Sequence, residues 1–168
     1  MRLLVTSDTH LVGGDFPDFL SDAAEEADAV AHAGDFESVD ALDRFEETAS
    51  LHAVHGNADD AAVRDRLPRR KTFEAGGGRV CVVHGHRTPD VAYEAAETGS
   101  RLVVRGHTHT PSYDERAVAT LNPGSPTRPR GSPPSYAWLV CRDGGFGGRV
   151  ETEGGEVLVE FGRTEEEL

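Results

Sequence analysis

Seven residues of this chain are of the types that hold divalent cations, and each stands where an apolar run stops. Asp8 and His10 follow Leu3-Leu4-Val5, and Asp35 follows Ala29-Val30-Ala31. Asn57 follows the run from Leu51 to Val54, His84 the run from Val80 to Val83, and His107 and His109 the run from Leu102 to Val104. Carboxylates, imidazoles and one amide drawn to one point make a ligand set for a metal ion, and seven are enough for two ions. Such a mixture without thiolate suits Mn²⁺, Fe²⁺, Ni²⁺ or Zn²⁺ better than Mg²⁺ or Ca²⁺, which take mostly oxygen. Mn²⁺ is the favoured ion. Asp8 and His10 are two residues apart, so in extended backbone their side chains point the same way and can grip one ion; His107 and His109 share that spacing.

The runs that deliver these residues are short, rich in Val, Leu and Ala, and bounded by Gly or by charge. That pattern predicts buried strands rather than helices. In open α/β sheets the ligand site lies at the carboxyl ends of the strands, so strands lying side by side would bring the seven together. Between the strands, helical spacing is carried by Phe16, Phe19, Leu20, Ala23, Ala24 and Ala27, by Val39, Leu42 and Phe45, and more weakly by Val63 and Leu67. Thr88-Pro89 ahead of Val91, Ala92, Ala95 and Ala96 reads as an N-cap, a proline at the first helical position and an apolar face.

After His109 the texture changes. Short extended runs over 112–116, 118–121, 136–141, 149–152 and 157–161, split by Gly-, Pro- and Asp-rich turns, predict an antiparallel, β-rich part. Asn122-Pro123-Gly124-Ser125 is a turn, followed by a Pro- and Arg-rich stretch to Ser135 that reads as an irregular, mobile loop. Glu165-Glu166-Glu167 reads as a solvated, frayed end.

At 168 residues the chain is expected to form one domain over 1–168. No stretch reaches the roughly 20 apolar residues a bilayer span needs, and Met1-Arg2 runs straight into a strand, so a cytoplasmic protein without a membrane partner is expected. Cys81 and Cys141 sit inside apolar runs and read as buried small hydrophobes. Seventeen basic residues face thirty acidic ones, for a net charge of −13, and Lys71 is the only lysine. The plain reading is an acidic, soluble surface; the sharper one is a halophilic surface suited to a salt-rich cytosol, where screening relieves self-repulsion. The sharper reading predicts a melting temperature that climbs as KCl rises to molar concentration, and a flat response would dismiss it. Either way the basic footprint that nucleic acid demands is missing, so stable nucleic-acid binding is not expected.

Asp8-x-His10, Gly34-Asp35, Gly56-Asn57, His84-Gly85-His86 and Gly106-His107-Thr108-His109, in that order, resemble the calcineurin-like metallophosphoesterase superfamily. The short length, Gly56-Asn57-Ala58-Asp59 and Asn122-Pro123-Gly124-Ser125 resemble its small bacterial and archaeal phosphodiesterase branch. The resemblance covers residues 2 to about 141. It implies an α/β fold, an αββα sandwich of two facing mixed β-sheets flanked by helices. It also implies two divalent metal ions per chain: one on Asp8, His10 and His109, the other on Asn57, His84 and His107, with Asp35 bridging. The implied activity is hydrolysis of small phosphoesters, diesters above all, by a hydroxide shared between ions roughly 3.5–4 Å apart. The alternative is a scaffold of the retromer-subunit type, which shares the fold and acts mainly through protein contacts. All seven ligand positions are intact here, which favours catalysis. A homo-oligomer is left open.

Asn57 and His86 are the candidate catalytic side chains. In the family pattern the first His of His84-Gly85-His86 is the ligand, so His86 either lines the pocket or is structural. His32, His52 and His55 are read as structural, and Arg87, Arg128 and Arg130 as solvated loop charges. Many larger relatives place a proton-donating His directly after the metal-binding Asn. Here that position is Ala58, with Asp59, Asp60 and His86 as conceivable substitutes.

Overall fold

Alternate side chains of Arg2–Thr6 (β1) enter two different apolar layers, Leu3 and Val5 on one face and Leu4 on the other. A strand buried on both faces needs cover on both, and the rest of the chain supplies it. The computed structural model describes residues 1–12, 16–87 and 91–162. After β1 come α1 (Asp18–Glu26), β2 (Ala29–His32), α2 (Val39–Thr48), β3 (Leu51–Ala53), α3 (Ala61–Arg66), β4 (Arg70–Ala75), β5 (Gly78–Val83) and α4 (Val91–Thr98). Then follow β6 (Leu102–Val104), β7 (Ser112–Asp114), β8 (Ala119–Asn122), β9 (Tyr136–Arg142), β10 (Gly145–Glu151) and β11 (Val157–Gly162).

The strands form two mixed sheets, ordered β11-β10-β9-β1-β2-β3 and β4-β5-β6-β8-β7. Leu3, Val5, Ala31, Val82, Val104, Leu121 and Leu139 fill the space between them. On the outer face of the first sheet, Leu20, Leu42 and Phe45 of α1 and α2 meet Leu4, Val30 and Trp138. Ala95 of α4 covers Cys81, Val83 and Val103 on the second. This is the expected αββα sandwich. No helix among the described residues is long and apolar enough to cross a membrane.

Three details depart from the sequence reading. The ligand-bearing strands do not share one sheet: β1 to β3 belong to the first and β5 and β6 to the second. The carboxyl ends of both sheets face one crevice, so convergence is kept by layer packing rather than by side-by-side pairing. Strand β4 was not expected, because Arg70, Lys71, Thr72 and Glu74 are exposed along a sheet edge and give no apolar run; pairing with β5 makes it a strand. The C-terminal part is antiparallel except that β8 runs parallel to β6. The expected cap at Thr88-Pro89 and the acidic end at 165–167 lie outside the described residues. Cys81 and Cys141 are buried free thiols, as expected.

Candidate metal centre

The backbone at the strand ends is unusual. Among the described residues, the non-glycine residues with positive φ are Asp8 (54°), His10 (43°), Asp35 (62°), Glu37 (85°), His107 (70°) and His109 (58°). Left-handed backbone costs an L-residue about 1–2 kcal/mol, and six such positions around one crevice mark a constrained site. The expectation that Asp8 and His10, or His107 and His109, point together by extended geometry is therefore corrected. They leave their strands in left-handed turns, stitched by Asp8 N–H to Gly34 O (2.9 Å), His10 N–H to Asp35 O (2.9 Å) and Leu11 N–H to Phe36 O (2.9 Å).

Two glycines in the motifs have a steric cause. A Cβ on Gly56 would overlap Asp35 Oδ1, and one on Gly106 would overlap Ser7 Oγ and Asp8 Oδ2. The backbone must pass this close for the carboxylates to reach the centre.

Asp8, Asp35, His84 and His109 are almost fully buried. Two groups of ligand atoms each gather within 4.8 Å: Asp8 with His10 and His109, and Asp8 with Asp35 and His84. His109 Nε2 lies 3.2 Å from Asp8 Oδ1, while His10 Nε2 and His84 Nε2 lie 3.8 and 3.3 Å from Asp35 Oδ2. Asn57 Oδ1 is 3.1 Å from His84 Nε2. His107 is the outlying member: its ring stands 5.3 Å from that of His84, and its backbone N–H donates to Asp8 Oδ2 at 3.0 Å.

Each inner histidine is set in one tautomer. His84 Nδ1–H donates to Ala33 O (2.7 Å), His109 Nδ1–H to Arg128 O (2.6 Å) and His10 Nδ1–H to Glu37 Oε2 (3.2 Å). With Nδ1 a donor in all three, a neutral ring offers its lone pair at Nε2, toward the carboxylates. Lone pairs then face lone pairs, and only protons or cations between them relieve the repulsion. Asp8 Oδ1 and His10 Nε2 are buried with no hydrogen-bond partner among the described residues. A divalent cation fits these residues.

The protonation tendencies agree. Burial pushes the Asp35 carboxyl up, but the His84 bond and charge, the Ala58 amide and His10 together hold it down at about 2. Burial works against a charged His84 as well, yet its contacts with Asp35 raise it on balance. Asp8 is raised by burial, against the pull of His84, Ser7 and His109. A cation takes the place of the protons these groups would otherwise share.

Several supporting residues carried no clear sequence signal. Glu37 orients His10 and pairs with Arg128 at 3.3 Å. Ser7 Oγ donates to Asp8 Oδ2 (2.7 Å). The stretch after Asn122 has no regular structure, as expected, but it is tied down rather than loose. Ser125 Oγ donates to Asp8 O (2.7 Å), Thr127 Oγ1 to Thr9 O, and Ser132 Oγ to His109 O (3.3 Å). Arg128 therefore serves through its carbonyl, while its half-exposed side chain pairs with Glu37. His32, fully buried, bonds Thr9 Oγ1 (3.0 Å) and stays structural; burial drives its pKa well down. His52 stacks on Phe73, with ring centroids 3.9 Å apart.

Asp59 and Asp60 are committed elsewhere. Asp60 caps α3, accepting from Val63 N–H at 2.8 Å. Asp59 accepts from Asp35 N–H (3.1 Å), Glu37 N–H (2.8 Å) and Gly56 N–H (2.6 Å), clamping the ligand loops together. Asp59→Ala leaves those amides without their acceptor, and equilibrium urea unfolding should record a loss of about 3 kcal/mol or more. A loss under about 1 kcal/mol would deny the clamp.

The sequence matches the family model of the calcineurin-like phosphoesterase superfamily domain over residues 1–144. A protein called probable metallophosphoesterase in Methanothermobacter thermautotrophicus is 36% identical over 147 residues, covering 83% of this chain and 85% of its own. A solved structure from Streptococcus pneumoniae, described as a predicted phosphoesterase, aligns with a TM-score of 0.76 and 30% identity, over 96% of this chain and 97% of its own. Vacuolar Protein Sorting 29 of Cryptosporidium parvum reaches a TM-score of 0.79 at 17% identity, over 96% of this chain and 98% of its own, a likeness of fold alone. The family match takes in every strand-end residue from Asp8 to His109, and this chain belongs to the calcineurin-like phosphoesterase superfamily.

Proposed function

We propose that this chain hydrolyses small phosphodiesters with two divalent cations, Mn²⁺ favoured. Asp8, His10 and His109 would hold one, Asn57, His84 and His107 the other, and Asp35 would serve both. The observation that carries this reading is the arrangement of Nε2 atoms: His10 and His84 face Asp35 while His109 faces Asp8, and each ring has its other nitrogen engaged by an acceptor. When bound, the ions supply an activated water and neutralise charge on the phosphoryl oxygens.

The chain's own residues then have distinct tasks. Asp35 holds its carboxylate in place by accepting Ala58 N–H (2.7 Å). Ala33, Glu37 and Arg128 keep the histidine rings from turning. The sandwich walls keep bulk water from Asp8 and Asp35, so charges there are screened less than at the surface. Turnover of a panel of phosphodiesters and phosphomonoesters, with each metal supplied in turn, tests the reading. Diesters cleaved faster than monoesters support it. A folded, metal-loaded chain that cleaves neither would favour the scaffold alternative.

His107→Ala and His109→Ala should each empty a different cation position, because His109 adjoins Asp8 while His107 adjoins His84. Anomalous difference maps of Mn²⁺-soaked crystals check this. Loss of the same peak in both variants would overturn the division of ligands.

A further inference from the structure

A cleft of about 270 Å³ runs outward from His84, walled by Arg69, Arg70, His86, Arg87 and Glu94. Arg70 is spoken for, bonding Glu94 at 2.9 Å and Glu97 at 2.8 Å. Arg69 and Arg87 have no ion-pair partner among the described residues. His86 joins them, its ring 5.3 Å from that of His84, with a buried Nδ1 that finds no hydrogen-bond partner among the described residues. Arg69 and Arg87 line one cleft whose carboxylate, Glu94, is engaged by Arg70, and beside an imidazole with an idle nitrogen they form a seat for an oxyanion. The guanidinium fork matches phosphate oxygens two at a time, and an imidazole adds a further donor.

We infer that this cleft holds a second phosphate group of the substrate, on Arg69, Arg87 and His86, while the phosphate to be cleaved lies beside Asp35 and His84. The inference rests on the hydrolase reading and narrows its substrate class to phosphodiesters bearing a further phosphate on one arm. A cleft of this size has room for one phosphate and the atoms that link it.

Two probes with uncleavable phosphorus–carbon bonds separate this seat from the metal centre: propane-1,3-diphosphonate, with two phosphonates, and propylphosphonate, with one. Calorimetric titration of the metal-loaded full chain should show the diphosphonate binding about tenfold tighter. An Arg69→Gln/Arg87→Gln double variant should lose that advantage. Both side chains are cleft-lining charges outside the cores, so the variant keeps the fold. Equal affinity for the two probes in the wild type, or an advantage that survives the double variant, overturns the seat. Equally tight binding of 3-phosphonopropionate, with a carboxylate as its second group, overturns the assignment to phosphate. The ester panel reads the hydrolase proposal separately: no hydrolysis of any ester, with the diphosphonate advantage intact and lost in the double variant, removes that reading and leaves the anion seat standing.

Discussion

An Asp35→Asn chain keeps its fold and loses divalent metal and phosphoester hydrolysis in the same measure. The change is nearly isosteric, and the amide oxygen still accepts the Ala58 N–H that Asp35 Oδ1 receives at 2.7 Å. What is lost is the charge on Oδ2, which lies 3.3 Å from His84 Nε2 and 3.8 Å from His10 Nε2, between the two histidine groups. An amide in that place offers either an N–H to atoms that need a cation or a neutral oxygen that attracts one weakly. Loss of a residue that merely orients a ligand costs about 10–100-fold in metal affinity or activity, so loss of a carboxylate serving both positions should exceed about 100-fold. Metal analysis, turnover and thermal melting on one preparation provide the check. Full metal content and full activity in this variant would end the two-ion reading.

The parts of the site that were legible in the sequence are those whose chemistry is local. Asp8, His10, Asp35, His84, His107 and His109 each end an apolar run, and a strand of Val, Leu and Ala announces itself by composition. The supports were not legible, because their work is done through backbone or at long range. Glu37 reaches His10 across 27 residues, and Arg128 holds His109 with a carbonyl that any residue type would provide. Asp59 stood in view beside Asn57, yet its side chain serves two amides of another loop and one of its own rather than a substrate. The spacing argument for Asp8 and His10 joined two residues whose side chains the structure also brings together, but by a different geometry. Periodicity assumes extended backbone, and the left-handed turns after β1 and β6 come from knitting between loops that no window of sequence contains. Strand β4 was missed for a similar cause: an exposed edge strand takes its conformation from its partner, not from its own pattern.

The rate of diester cleavage should depend steeply on the pKa of the leaving alcohol, with nitrophenyl esters cut readily and alkyl esters slowly. A departing oxygen that receives no proton leaves with most of its negative charge, and general acid help is typically worth about 10²–10⁴-fold. The position that carries a His in larger relatives is Ala58, which has no proton to give. Asp59 is buried against three amide donors and Asp60 is fixed as a helix cap, so neither carboxyl is available. His86 remains, and its surroundings make it a poor acid. Burial, then the neighbouring His84, Arg87 and His107, lower its pKa below the ordinary histidine value, so at neutral pH its ring is uncharged. Such a ring can donate a hydrogen bond to a bound oxyanion but holds no readily lost proton. A graded series of aryl and alkyl diesters, run at pH 7 with constant metal, measures the slope of rate against leaving-group pKa. A flat series would reveal an acid in the cleft, and His86→Ala would then be the variant expected to restore the slope.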